Sequence, residues 1–97
     1  MKYRKKPIVV EAYRITEAAR LCYADWPEWL KEAWDKSDDE IGSVYPSRDY
    51  DNDCRIYVKT LEGAYLIEWD AYIIKGIEGE LYPCRGDIFE RTYEKVE

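Results

Sequence analysis

The acidic residues are the part of this sequence whose type and spacing could do chemistry. Asp49, Asp51 and Asp53 alternate with other residues in a stretch that resembles the first half of a calcium-binding EF-hand loop. The motif then fails twice, because its sixth position is Cys54, where glycine is needed, and its twelfth is Thr60, where a bidentate glutamate is needed. The spacing therefore predicts a solvated polar turn without a metal ion.

The three cysteines offer little reactive chemistry. Cys22, Cys54 and Cys84 form no Cys-x-x-Cys pair and the chain has no histidine, which argues against a structural zinc site and favours reduced, mostly buried thiols. Arg85 could lower the pKa of the Cys84 thiol, but a nucleophile also needs a base, and the usual base is histidine. Without a P-loop, a dinucleotide fingerprint or a nucleophile elbow, the sequence predicts a protein that is not an enzyme and holds no cofactor.

Charge is distributed unevenly along the chain, whose net charge is −6. Residues 1–20 carry six Lys/Arg against two Glu, whereas residues 25–53 carry ten acids against three bases. A negative segment repels nucleic-acid phosphates and favours a basic protein surface as partner. Tyrosines within it add rigid contact area. The alternative is the ordinary solvated surface of a small acidic protein. The residues that we predict to bind a partner are Asp35, Asp38, Asp39, Glu40, Tyr45, Asp49, Tyr50, Asp51 and Asp53.

The length of 97 residues suits one domain, 1–97, with a single modest core. No apolar run approaches the roughly 20 residues that a membrane helix needs. The apolar stretch after the basic N-terminus is only Ile8–Val10, too short for a signal peptide. We therefore expect a cytoplasmic protein with no membrane contact.

The clearest predicted element is a tryptophan-rich helix. Trp26, Trp29, Leu30, Ala33 and Trp34 recur at helical spacing and form one apolar stripe. Such a stripe usually packs on a sheet, so Trp29 and Trp34 should be largely buried; an exposed aromatic binding face is the alternative.

Other periodic segments predict strands and shorter helices around this helix. Residues 7–13 alternate as a strand should, and Thr16 is a suitable N-cap for a short helix over 17–21. The fold class is α+β, a mainly antiparallel twisted sheet with the amphipathic Trp-rich helix packed on one face. The remaining predictions are strands at 41–45, 55–60, 64–68, 72–75, 80–82 and 92–96, a polar turn at 47–53, and one helical turn at 87–90.

The C-terminal part of the chain carries a recognisable signature. It contains Thr60-Leu61-Glu62-Gly63, Ile73-Ile74-Lys75-Gly76, Gly79-Glu80, Tyr82-Pro83-Cys84, Asp87-Ile88-Phe89 and Thr92-Tyr93-Glu94, and the N-terminal Pro7 and Val9–Ala12 accompany it. With these residues the chain resembles a group of small phage and prophage proteins. It departs from them at residues 68–71, where they often have Pro-Gly-Asp, and at 85–86, where they often have Lys-Pro. The resemblance implies a phage origin and brings no activity with it.

Two features together, the acidic segment and the phage resemblance, lead to the functional hypothesis. We expect an anti-defence protein, an anti-CRISPR-like inhibitor that binds a basic surface of a host defence protein or nucleoprotein complex. One alternative is a sponge for a nucleotide immune signal, with Tyr/Trp stacking and with Lys75 and Arg85 near the phosphates. Another is a virion or morphogenesis accessory protein. The oligomeric state stays open.

Overall fold

The structure, a computed structural model, describes residues 1–4, 6–47 and 55–96, and the predicted α+β class is confirmed in them. The strands divide between two antiparallel three-stranded sheets, in the orders β1–β5–β6 and β2–β3–β4. The described elements are strands β1 (Glu11–Ile15), β2 (Val44–Pro46), β3 (Ile56–Thr60), β4 (Gly63–Ile67), β5 (Ala71–Lys75) and β6 (Leu81–Cys84), helices α1 (Glu17–Leu21), α2 (Glu28–Asp35) and α3 (Gly86–Thr92), and a short 3-10 helix at Tyr23–Asp25.

The core lies between the two sheets and α2. Ile15 and Ile73 from the first sheet and Ile56 and Val58 from the second are fully buried, together with Leu30 of α2. Burial alternates along β3, which presents one face to the core, whereas β5 buries both Ile73 and Ile74.

The first strand begins later than predicted. The alternation over residues 7–13 predicted a strand there, but β1 covers Glu11–Ile15. Its partner β5 pairs Lys75 with Glu11, and the chain then turns at Gly76. Within the described part of the chain, residues 1–4 and 6–10 therefore pair with no strand.

Tryptophan burial differs in detail from the prediction. Trp26 lies ahead of α2 and is the deeply buried indole, 3% exposed, and its Nε1–H donates to the carbonyl of Ala19 at 2.7 Å. Trp29 and Trp34 are only half-buried and pack against the core from its edge. The apolar stripe is thus core, as predicted, but its anchor is the tryptophan outside the helix.

α3 extends to Thr92, where a strand was expected to begin. The prediction of a strand over 92–96 is wrong, since Thr92 ends α3 and residues 93–96 form no strand. Aromatic stacking explains the longer helix. Phe89 stacks on Tyr72 of β5 at 3.8 Å between ring centroids and on Tyr93, four residues later, at 4.7 Å.

Burial, followed by the hydrogen bond and charge of Tyr93, raises the pKa of Tyr82 to about 12.

Candidate functional site

The predicted acidic segment begins where α2 ends. We call Asp35, Asp38, Asp39 and Glu40, with the backbone that carries them, the acidic turn. The Glu40 N–H donates to the Ser37 carbonyl at 2.9 Å, and the Ser43 N–H donates to the Glu40 carbonyl at 3.2 Å. The Gly42 N–H reaches across to the Lys59 carbonyl at 2.8 Å, with Gly42 at φ +88°, where glycine is favoured. The backbone of the acidic turn is therefore held in place by hydrogen bonds.

The carboxylates of the acidic turn differ in their surroundings. Asp35, Asp39 and Glu40 are exposed and Asp38 is half-buried. The Ser37 hydroxyl donates to Asp39 Oδ1 at 2.5 Å. This hydrogen bond is the main cause that lowers the pKa of Asp39, with smaller help from a backbone hydrogen bond and from the charge of Lys59. Asp39 is therefore held in its ionised form.

The aromatic and C-terminal parts of the predicted site are only partly described. Tyr45 lies in β2 and stacks on Tyr57, its cross-strand partner, with 5.7 Å between ring centroids. It is half-buried, and one face of its ring contacts Tyr57 within the sheet. Ser47 is buried, and its N–H donates to the Arg55 carbonyl at 2.9 Å. The residues that lie outside the described part of the chain are Asp49, Tyr50, Asp51 and Asp53, and with them Cys54 and the half EF-hand pattern.

A groove on another part of the surface was not predicted as a site. The β4–β5 turn and the start of α3 enclose a hollow of about 290 Å³ whose walls include Arg14, Trp69 and Arg85. We call it the Arg14–Arg85 groove. Its floor is fixed, because the Asp70 N–H donates to the Ile15 carbonyl at 2.8 Å and a Cβ on Gly86 would lie 2.5 Å from the Asp70 carbonyl oxygen. Asp70 itself adopts φ +70°, uncommon for a residue other than glycine.

Two of the four carboxylates that line this groove lie beside its arginines. Arg85 Nη2 lies 2.9 Å from Asp87 Oδ2, and Arg14 Nη2 lies 3.7 Å from Asp70 Oδ1. Two further carboxylates, from Glu68 and Glu90, also line the walls, so acids outnumber arginines by four to two. A phosphate entering here would have to compete with carboxylates already beside both guanidinium groups.

The two cations that the nucleotide-sponge hypothesis combines lie apart. Lys75 is paired with Leu81 at one end of the β5–β6 hairpin, whereas Arg85 follows Cys84, the partner of Tyr72, at the other end. Three residues of strand separate these ends by about 10 Å. Lys75 lines a different hollow, of about 90 Å³, and contacts Glu11 at 3.7 Å. The sponge hypothesis places both cations near the phosphates, whereas the hairpin holds Lys75 and Arg85 at opposite ends.

Two of the cysteines, Cys84 and Cys22, lie in different surroundings. Burial, and then the charge of Asp87, raises the pKa of the Cys84 thiol, the reverse of an activating effect. Arg85, which could have lowered this pKa, is already engaged with Asp87. Cys22 is exposed, so the expectation of a buried thiol is wrong there; it lies in the short link between α1 and the 3-10 helix.

The site prediction missed Arg14 and Trp69. The signal for Trp69 was indirect, since it falls within residues 68–71, one of the two stretches that the expected resemblance to phage proteins set apart. Arg14 carried no such signal and is brought to the groove by β1.

Comparison with known proteins adds no relative: no family model matches the chain, and no curated protein or solved structure matches it significantly. Among the described residues, no three His, Cys, Asp or Glu side chains gather as a metal site would require. No described helix has the length and apolar character to cross a membrane.

Proposed function

We propose that this protein works by binding, without catalysis or a cofactor, and that it attaches through the acidic turn to a basic surface of another protein. The observation that carries the proposal is the display of Asp35, Asp39 and Glu40 as exposed carboxylates on a hydrogen-bonded turn. Because the turn is already ordered, binding would not have to offset the conformational entropy that is lost when a flexible turn becomes ordered.

Charge supports the same conclusion. Residues 25–47 hold seven Asp/Glu against two lysines, Lys31 and Lys36. Excess charge of one sign speeds encounter with a surface of the opposite sign and opposes binding of nucleic acid itself. Carboxylates spaced along a turn can bind the arginines and lysines that normally contact the backbone phosphates of DNA or RNA.

The finer proposal is a phage-encoded anti-defence inhibitor that acts in the host cytoplasm. The resemblance of residues 73–94 to phage proteins supports the origin, and the acidic turn supports a target with a cationic nucleic-acid channel, such as a CRISPR–Cas effector. The nucleotide-sponge alternative is less well supported, because acids outnumber arginines in the Arg14–Arg85 groove and Lys75 lies elsewhere.

The test is a phage-restriction assay. The chain is expressed in strains in which different CRISPR–Cas types each restrict a phage, and plating efficiency is measured. We expect plating to recover in at least one type, and the purified chain to block DNA binding by that effector in a mobility-shift assay. In the mobility-shift assay, the affinity of the chain for the effector should fall as salt rises, because exposed charge contacts are screened.

A matched pair of variants separates the acidic turn from general acidity. Asp38→Asn with Asp39→Asn and Glu40→Gln removes three charges from the turn. The control, Glu62→Gln with Glu78→Gln and Glu94→Gln, removes three exposed charges elsewhere. Only the first variant should lose inhibition. Inhibition in no system, or equal loss in both variants, would contradict the proposal.

A further inference from the structure

The edge strands of the two described sheets are protected to different degrees. β1 carries the charged residues Glu11 and Arg14. β6 contains Pro83, and β2 is three residues long and ends at Pro46. Charges, prolines and shortness are features by which edge strands usually avoid pairing with other chains. β4, the fourth described edge strand, has five residues, Gly63–Ile67, with neither a charge nor a proline among them.

The open side of β4 presents backbone hydrogen-bonding groups. On β3, the Lys59 N–H donates to the Ser43 carbonyl at 2.9 Å, and the Lys59 carbonyl accepts from the Gly42 N–H at 2.8 Å. Lys59 therefore directs its backbone groups toward β2. Its cross-strand partner is Ala64, so the backbone groups of Ala64 and, two residues later, Leu66 point away from β3. Within the described part of the chain, nothing bonds to these outward groups.

This edge is also accessible to another chain. Ala64 is exposed and Tyr65 is 45% exposed, whereas the following Leu66 is half-buried. An added strand would therefore cover apolar and aromatic side chains in addition to gaining backbone hydrogen bonds. Pairs between an aromatic and a β-branched residue are among the favourable cross-strand pairs, so β-branched residues suit the position beside Tyr65.

The charges around β4 indicate which strand fits it. Glu62 and Glu68 lie immediately before and after β4, about 20 Å apart along an extended chain, and both are exposed. A second copy paired antiparallel about Tyr65, the middle residue, would set Glu62 opposite Glu68, and like charges directly opposite are destabilising. Lys59 lies across from Ala64, near the middle of the edge. Charge therefore favours a different partner, basic at both ends and uncharged between them.

We propose that β4 binds an extended segment of another protein as an additional strand of its sheet. The segment is rich in β-branched residues in its middle and carries a lysine or arginine at each end. Backbone hydrogen bonds to Ala64 and Leu66 hold it, and its end cations contact Glu62 and Glu68. None of these residues belongs to the acidic turn, so binding at β4 is independent of the function proposed above.

Amide hydrogen exchange with a synthetic peptide tests this site. The probe has seven residues, as residues 62–68 do, with lysine at each end and alternating threonine and valine between. At a peptide concentration about ten times the dissociation constant, exchange at the Ala64 and Leu66 amides should slow about tenfold. The Tyr65 amide should change little, because it already faces Val58 within the hairpin.

The same experiment has two outcomes that overturn the proposal. One is that the lysine-ended peptide leaves the Ala64 and Leu66 amides unprotected, or protects them no better than a peptide with glutamate at each end. The other is that both amides are already protected without peptide in a chain of twice the 11.6 kDa mass, which would assign the edge to a second copy.

Variants of β4 separate the backbone contribution from the charge contribution, with peptide affinity measured by calorimetry. Ala64→Pro removes an outward N–H and no hydrogen bond to β3, so it should fold and lose peptide binding. Ala64→Val keeps that N–H and should bind as the unmodified chain does. Glu62→Lys with Glu68→Lys should reverse the preference, from the lysine-ended to the glutamate-ended peptide.

Thermal melting checks the fold of these variants. A folded Ala64→Pro that binds the peptide with unchanged affinity contradicts the strand addition. If Ala64→Pro melts early, the charge-reversed variant decides, and an unchanged preference for the lysine-ended peptide overturns the proposal.

Discussion

The acidic turn and the Arg14–Arg85 groove are both rich in carboxylates, but they use them in different ways. In the groove, Asp70 and Asp87, two of its four carboxylates, each lie beside an arginine of the same chain. In the acidic turn, Asp39 is held by the neutral Ser37 hydroxyl, and backbone hydrogen bonds fix the chain around it. The exposed carboxylates of Asp35, Asp39 and Glu40 are available to a partner on this fixed backbone. This difference, rather than the number of acids, is why we assign binding to the turn.

The largest expected effect comes from removing the buried indole of Trp26. Trp26→Ala deletes the buried indole that ties the segment between α1 and α2 to the core and bonds to Ala19. We expect a loss of about 3–5 kcal/mol in the free energy of unfolding, measured by urea denaturation. Leu61→Ala, at an exposed position, should change little. If Trp26→Ala unfolds at the same urea concentration as the unmodified chain, the helical half is not anchored as described.

A backbone clash in the groove should rank second. In Gly86→Ala the new Cβ would lie 2.5 Å from the Asp70 carbonyl oxygen, so the β4–β5 turn must shift, at a cost of about 1–3 kcal/mol. Gly76→Ala is the matched control, because only the flexible side chain of Glu80 must move there. Equal losses for the two alanines, measured by thermal melting, would show that the groove floor is not rigid.

Neutralising charges should change stability in opposite directions in the two regions. Asp70→Asn with Asp87→Asn removes two partly exposed ion pairs and should cost up to about 1 kcal/mol per pair. Asp35→Asn with Glu40→Gln relieves repulsion near the negative C-terminal end of α2, so stability should be unchanged or slightly higher. Denaturation of both double variants at low salt gives the sign. A marked loss in the turn variant would mean that its carboxylates are internally paired after all.

The smallest effect is the pH dependence of Asp39. Its pKa lies below the ordinary 3.8, so the folded state favours the carboxylate. The resulting stabilisation is present above the ordinary pKa and is lost as pH falls through the lowered folded value. Ser37→Ala should raise the pKa of Asp39, which a carboxyl-carbon NMR titration measures, while Ser47→Ala leaves it unchanged. If the pKa of Asp39 does not change in Ser37→Ala, the hydrogen bond from Ser37 is not what lowers it.

Local sequence signals were sufficient for much of the framework. Thr16 caps α1 as predicted, because its hydroxyl accepts from the Ala19 N–H and this needs only neighbouring residues. The hairpins of β3–β4 and β5–β6 fall where alternation and glycine placed them. Asp35, Asp39 and Glu40 are exposed as a charged segment should be.

Other features depended on contacts between residues far apart in the sequence. Whether the strand over 7–13 forms depends on how far β5 extends, and whether residues 92–96 form a strand depends on Phe89 finding Tyr72. The groove arises where β1, the β4–β5 turn and α3 meet, which no local pattern reports. The sequence by itself determined the fold class, the turns and the sign of each surface, because these follow from local sterics and charge. Only the tertiary structure decided which charges are neutralised and which edge stays open, because both depend on distances between elements that the chain order does not set.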